Sequence, residues 1–201
     1  MRGMIATIVL TGCAPLSAAT VSVIVRTPDG KPIENAVVSI ESQATRPGTA
    51  PTYAYPLRVT QQDIALKPYV LLVPAGARVA FPNLDKVRHH VYSFSRTKKF
   101  ELKLYGRDET NFVQFDTPGT VPLGCNIHDA MSGFVKVLAT PFADKTGPSG
   151  QVTIKGVPSG GATVRVWHPK AQARGNEFSA PLAVGAGDMT QAVTLRIGDP
   201  G

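Results

Sequence analysis

Short apolar runs, separated by clusters of Gly, Pro, Asp and Ser, set the pattern of this chain. Such runs, bounded by turn residues, are typical of β-strands. Long stretches with helical periodicity are missing. The predicted strands lie at residues 21–25, 36–40, 69–73, 79–81, 134–137, 151–155, 162–167 and 192–197.

Composition supports the same class of fold. The chain has 201 residues, with 19 Gly and 17 Pro, and only 17% of its residues are charged. This composition is typical of an all-β protein with many turns. The length suits one large domain or two small ones.

Residues 121–137 carry the clearest chemical pattern. Cys125, His128 and Met131 form a Cys-x-x-His-x-x-Met motif just before a predicted strand. A thiolate, an imidazole and a thioether within one loop favour copper over magnesium, calcium or manganese. Zinc is less suited, because zinc sites use Cys, His and carboxylates rather than thioethers. A copper site of the electron-transfer kind needs a second His from elsewhere in the chain.

The other histidines are His89, His90 and His168, and the first two follow a turn that begins after Phe81. Together with the Cys125 loop, this segment resembles the cupredoxin family of blue copper proteins, with an amicyanin-type ligand loop. The resemblance implies a Greek-key β-sandwich and one type 1 copper ion. The implied metal ligands are His89, Cys125, His128 and Met131.

The chain departs from the family motif at one position. His90 stands where the family has Asn, a residue that braces the ligand loop by hydrogen bonding. His90 is therefore a rival to His89 as the ligand. Asn83 and Asp85 either brace the ligand strand or serve only as turn residues. The expected apolar surroundings of the metal are Phe81, Pro82, Leu123, Ile127 and Phe134.

Residues 1–19 have the pattern of an export signal, with a short basic start and an apolar run. Cleavage before Thr20 and lipidation of Cys13 are both compatible with the sequence. Either leaves Cys125 as the only free thiol of an exported protein. A lone thiol can be a small buried hydrophobe, but the spacing to His128 and Met131 favours a metal thiolate. The expected location is the periplasm, in a soluble or lipid-anchored form.

The remainder of the chain resembles a carboxypeptidase-regulatory-like β-sandwich. Its first hairpin is expected at 20–42, and its later turn motifs and strands at 146–197. The cupredoxin-like part, 56–138, would then be inserted into one loop of this sandwich. One continuous domain with decorations is the alternative. Some proteins of this architecture are labelled for methylamine utilisation, but no residue here indicates a donor dehydrogenase.

A metal with all its positions filled by protein has none open for substrate, so we expect an electron carrier and not an enzyme. Copper sequestration or delivery is the alternative function, although there is no Met-rich or His-rich tail. An adhesion role for the carboxypeptidase-regulatory-like sandwich is a third possible function. His168 is expected at a strand end, with a looser metal site shared with His90 as the less favoured interpretation.

The formal net charge of the chain is +7. Residues 86–107 contain seven basic residues and one acid, Glu101. A basic face beside the histidines would attract an acidic redox partner of the cytochrome or dehydrogenase class. A merely solvated strand face explains the same charges. Nucleic acid binding does not fit an exported protein. Membrane contact is expected only through a lipid anchor at Cys13.

Overall fold

The structure, a computed structural model, describes residues 17–45, 48 and 51–198. Cys13 and most of the predicted export signal lie outside this part of the chain. The described residues form sixteen strands and a single 3-10 turn at Arg174–Asn176, which confirms the all-β class. The strands are β1 (Ala18–Arg26), β2 (Val37–Ser42), β3 (Thr60–Gln61), β4 (Leu66–Lys67), β5 (Val70–Pro74), β6 (Ala77–Pro82), β7 (His89–Phe94), β8 (Lys99–Tyr105), β9 (Thr110–Phe115), β10 (Gly119–Cys125), β11 (Ser132–Leu138), β12 (Ala143–Lys145), β13 (Gln151–Pro158), β14 (Gly160–Trp167), β15 (Glu177–Val184) and β16 (Met189–Thr194).

One sandwich is built from the two ends of the chain. A three-stranded sheet, in the order β13-β1-β16, faces a four-stranded sheet in the order β12-β2-β14-β15. Successive residues of β1 alternate between core and surface, so that Val21, Val23 and Val25 point inward. They meet inward residues of the other sheet, such as Ile40 and Val164, in one hydrophobic cluster. We call this part the outer sandwich.

The middle of the chain forms a second sandwich. A five-stranded sheet in the order β5-β11-β10-β7-β8 lies over the antiparallel pair β6-β9, and β3 and β4 pair beside them. Its core includes Phe81, Val91, Phe115, Leu123 and Val135, all of them buried. Burial of such large apolar side chains removes the most surface from water and supplies the main driving force for this half.

A small third cluster joins the two sandwiches. Val70 and Leu72 of β5 pack with Val37 and Trp167 of the outer sandwich. The ring of Phe134 on β11 lies 5.6 Å from that of Trp167, edge to face. The chain thus has two cores with a packed contact between them. The proposed domain boundaries, 20–42 plus 146–197 and 56–138, stay predictions.

Strand register brings the motif residues together. β10 runs antiparallel to β7, with Cys125 opposite Val91. The last residue of β10 therefore lies beside the first residues of β7, which begins at His89. Beyond the ladder, the backbone N–H of Asn126 donates to the carbonyl of His90 over 3.2 Å. In the described part of the chain there is no helix with the length and apolar character needed to span a membrane.

Candidate metal centre

His89, Cys125 and His128 form a compact group of potential ligands. One ligand atom from each lies within 4.8 Å of the others. The Cys125 sulfur is 4.0 Å from Nδ1 of His89 and 3.9 Å from Nδ1 of His128. His89 and Cys125 are buried, whereas His128 is half-buried. The structure thus brings a thiol and two imidazoles, separated by up to 39 positions in sequence, to one point.

These distances fit a metal bound in the plane of the three atoms. Metal–sulfur and metal–nitrogen bonds of about 2.3 Å and 2.0 Å at trigonal angles place S and N about 3.7 Å apart. The observed separations are close to that value. Both imidazoles turn the same nitrogen, Nδ1, toward the sulfur. A site with one thiolate and two neutral imidazoles in a trigonal arrangement suits copper.

The ligand loop between β10 and β11 is short and tied at its end. The backbone N–H of Met131 donates to the carbonyl of His128 over 2.9 Å, closing a turn. Gly133 follows, where a Cβ would come within 3.2 Å of Leu66 and 3.3 Å of the Tyr69 carbonyl. A side chain at this position would push the loop exit away from β4 and β5. Glycine therefore permits the close approach that fixes the loop.

Met131 is fully buried and belongs to the same hydrophobic cluster as Cys125 and Leu123. Its backbone position beyond His128 places it at the end of the ligand loop. A buried Met is also a good filler of an irregular core. Its role as a weak axial ligand stays a prediction.

The orientation of His89 is set by Asp85. Nε2 of His89 donates to a carboxylate oxygen of Asp85 at 2.8 Å, which leaves Nδ1 to face the Cys125 sulfur. Asp85 also accepts the backbone N–H groups of Asp63 at 2.7 Å and Ile64 at 3.1 Å. Burial opposes ionisation of Asp85, but the hydrogen bonds from His89, Ile64 and Asp63 outweigh it and lower its pKa. A carboxylate on the far nitrogen of a ligating His is a recurrent feature of metal sites.

Asn83 holds the same turn from inside. Its buried amide donates to the carbonyls of Val87 and Tyr105, and its oxygen accepts the N–H of Asp85. Asn83 and Asp85 are therefore turn residues that also brace the ligand strand. The sequence left open whether these residues brace the strand or serve only in the turn, and their contacts agree with bracing.

Other groups around His89 had no sequence signal. Tyr105 lies opposite His89 in the β7–β8 register and donates to the Phe81 carbonyl over 2.8 Å. Gln61, fully buried, donates to the Tyr105 hydroxyl. Gln61 and Tyr105 come from distant strands, and only the tertiary fold places them together. The alternating polar and apolar residues of 99–104 could have identified β8 as a strand.

His90 points away from the ligand group. Its Nε2 lies 2.8 Å from a carboxylate oxygen of Glu101, and its Nδ1 is buried without a hydrogen-bond partner among the described residues. His168 is also elsewhere, at the end of β14 in the outer sandwich, where its Nδ1 accepts the N–H of Lys170 over 3.2 Å. Burial, and secondarily Lys170, lowers the pKa of His168. The structure brings His89, and neither of these histidines, to Cys125.

The expected apolar surroundings are found in part. Phe81 and Leu123 are buried in the cluster that contains Cys125. Ile127 is exposed on the ligand loop, and Phe134 packs against Tyr69 and Trp167 at the contact between the sandwiches. Phe134 was expected beside the metal and is not found there. Its side chain lies on the opposite face of β11 from Val135, which packs in the cluster that contains Cys125.

No family model matches the chain, and no curated protein matches it. Among solved structures, a copper-containing nitrite reductase from Thermus scotoductus SA-01 is 25% identical, over 49% of this chain and 26% of its own, with a TM-score of 0.40. A purple cupredoxin from Nitrosopumilus maritimus is 20% identical, over 40% of this chain and 98% of its own, with a TM-score of 0.37. A reduced mutant of amicyanin is 18% identical, over 50% of this chain and 98% of its own, with a TM-score of 0.38.

These similarities cover half of the chain or less, and only about a quarter of the nitrite reductase. The assignment of a metal centre rests on the positions of three side chains. The chain is an all-β protein with a buried His-Cys-His group, and it is similar over part of its length to structures of copper proteins.

Proposed function

We propose that this chain is an exported type 1 copper protein that transfers single electrons between redox partners. The observation that carries the proposal is the triangle of His89 Nδ1, Cys125 Sγ and His128 Nδ1, with sulfur–nitrogen separations of 4.0 and 3.9 Å. Met131 completes the proposed ligand set. Copper held in this way supplies one-electron exchange between its two oxidation states.

The residues of the chain have separate tasks in this proposal. Cys125 provides the thiolate, and its burial keeps water from the sulfur. Asp85 fixes the orientation of the His89 ring, so that Nδ1 is held toward the sulfur. His128 is the only one of the three grouped ligands that is not fully buried. Its ring is therefore the shortest route from the site to a partner at the surface.

The test is the visible and EPR spectrum of the purified protein after addition of Cu(II). We expect an intense visible band from thiolate-to-copper charge transfer and a narrow copper hyperfine splitting. Cys125→Ser should lose the band. A colourless protein with an ordinary tetragonal copper signal, or a Cys125→Ser variant that keeps the band, would contradict the proposal. Rapid exchange of copper with a chelator would favour sequestration or delivery instead.

Export to the periplasm belongs to the same proposal and rests on the sequence of residues 1–19. The N-terminal mass of protein isolated from cells tests it. Cleavage before Thr20 would give a soluble form, whereas a lipid-modified Cys13 would give an anchored one. A full-length N-terminus would contradict export by either signal.

A further inference from the structure

One face of the five-stranded sheet is covered over only half its width. The strands β5 and β11 turn Val70, Leu72 and Phe134 toward the outer sandwich, where they pack with Trp167. On β7, β8 and β10 the same sheet carries exposed or half-buried side chains instead. Phe94 on β7 is 73% exposed, the highest value among the exposed large hydrophobic residues of the described chain. A single exposed ring is ordinary, but a ring that belongs to a continuous apolar patch marks an interaction site.

Phe94 ends a row of rings along β7. Its ring centroid lies 5.0 Å from that of Tyr92, which lies 6.0 Å from that of His90. These residues alternate with the buried Val91 and Ser93, so they share one face. Phe94, Tyr92, Pro122 and Gly124 line a shallow groove of about 300 Å³.

The row of rings reaches the immediate neighbour of the thiol. Tyr92 lies opposite Gly124 in the β7–β10 register. A Cβ at Gly124 would be 3.0 Å from the Tyr92 ring, so the tyrosine packs directly on this backbone. Gly124 is bonded to Cys125. The aromatic surface is thus in contact with the peptide that carries the proposed sulfur ligand.

Basic side chains border the aromatic row. Lys99 lies directly opposite Phe94, and Lys103 follows on the same strand. Arg96 and Lys98 lie in the connection between β7 and β8. None of these four side chains forms an ion pair with another residue in the described ranges. The one acid of this region, Glu101, is engaged by His90.

We propose that this face, defined by Tyr92, Phe94, Pro122, Gly124 and Lys99 with its basic neighbours, is a docking surface for an acidic redox protein. The inference rests on the proposed electron-transfer function and adds a surface distinct from the half-buried His128. Unpaired cations steer an acidic partner and set its association rate. The apolar rings supply the small desolvated centre that holds it. The contact with Gly124 explains why such a partner would dock here rather than elsewhere on a basic protein.

The first test maps anion binding and does not depend on copper. The isotopically labelled protein, as purified, is titrated with hexacyanochromate(III), a paramagnetic trianion that is inert to redox exchange. We expect selective broadening of the backbone NMR signals of residues 92–103, reduced in Lys99→Glu. The control is Lys155→Glu, an exposed lysine of β13 in the outer sandwich. Broadening centred elsewhere, or equal in the two variants, would overturn the proposal.

The second test measures electron transfer. A reduced plant-type ferredoxin, an acidic one-electron protein, gives one electron to the Cu(II) form, which becomes Cu(I) as the iron–sulfur cluster is oxidised. At low ionic strength we expect Lys99→Glu to lower the second-order rate constant by about tenfold, since such rates depend on surface charge. Phe94→Ala should lower it as well, because it removes the apolar centre of the contact. Lys155→Glu should change it by less than about twofold. Equal effects of Lys99→Glu and Lys155→Glu would overturn the docking surface.

The two tests separate the two proposals. If no thiolate–copper band forms, the proposed function fails, and the NMR titration alone decides whether the face binds anions. If the band forms but neither test singles out the face, the copper function stands and the docking surface falls.

Discussion

Asp85 accepts a hydrogen bond from Nε2 of His89 at 2.8 Å, and this contact determines which nitrogen of the ring faces Cys125. The carboxylate is itself held by two backbone N–H groups, from Asp63 and Ile64. Both of those residues have positive φ angles, 58° and 53°. This backbone conformation is uncommon for a non-glycine residue, and especially for a β-branched one. The chain accepts that strain where it supports His89, the proposed metal ligand.

Replacing Asp85 by Asn should weaken the site without removing a ligand. One carboxylate oxygen accepts the N–H of Asp63, and the other accepts the N–H groups of Ile64 and His89. In either orientation, the amide NH₂ of Asn would face a donor. We expect copper affinity to fall by about ten- to a hundredfold. Competition with a chelator of known affinity measures it, and Asp116→Asn, at an exposed site, is the control. Equal affinities of the two variants would contradict the bracing role.

The two adjacent histidines should behave in opposite ways. His89→Ala removes a nitrogen that lies 4.0 Å from the Cys125 sulfur, so the charge-transfer band should disappear. His90→Ala removes a ring paired with Glu101 on the sheet surface, so the band should remain. The visible spectra of the two copper-loaded variants decide the matter. If only His90→Ala lost the band, the ligand would be His90 and not His89.

Met131 should tune the potential if it is an axial ligand. In Met131→Gln, an amide oxygen would stabilise Cu(II) more than a thioether does, so copper should stay bound and the reduction potential should fall. In Met131→Leu, no axial donor remains and the potential should rise, while the buried volume is nearly conserved. Voltammetry measures both. Unchanged potentials in both variants would leave Met131 as core packing.

His168 should make stability depend on pH. Burial lowers its pKa from the usual 6.5, because the charged ring is poorly solvated, and the positive charge of Lys170 lowers it further. Below pH 6.5 the unfolded state therefore binds more protons at this residue than the folded state. Its contribution to stability is present above pH 6.5 and is lost as the pH falls through the folded-state pKa.

The measurement is urea unfolding of the wild type and His168→Gln between pH 5 and pH 8. The difference in free energy of unfolding should shrink as the pH falls. A difference that stays constant across this range would mean that His168 titrates alike in both states. The same comparison with an exposed basic residue, Lys155→Gln, corrects for general charge effects.

Local sequence predicted much of the site because its chemistry is local. Cys125, His128 and Met131 lie on one short loop, and their spacing alone restricts the type of metal. His89 could be paired with them only through a family resemblance, and the sequence left His90 as a rival. The strand register that separates the two histidines depends on the pairing of β7 with β8 and β10, which the sequence of no single strand specifies.

The supporting contacts could not have been predicted, because they join distant parts of the chain. The backbone groups of Asp63 and Ile64 reach Asp85 from more than twenty positions away. An isoleucine with positive φ is disfavoured by its own side chain, so nothing local points to it. The exposed Phe94 is equally hidden in the sequence, where it looks like any inward-facing strand residue.

The central strand of the outer sandwich has a consequence for biosynthesis. β1 pairs antiparallel with β13 and parallel with β16, so both of its neighbours come from the last quarter of the chain. In a chain that emerges from its N-terminus, at the ribosome or across the membrane, both edges of β1 therefore stay unpaired until nearly the whole chain has emerged. All five strands of the sheet that carries Cys125 have by then been made. Emergence in this order favours a chain in which the half with Cys125 is complete first, and the terminal strands close the outer sandwich afterwards.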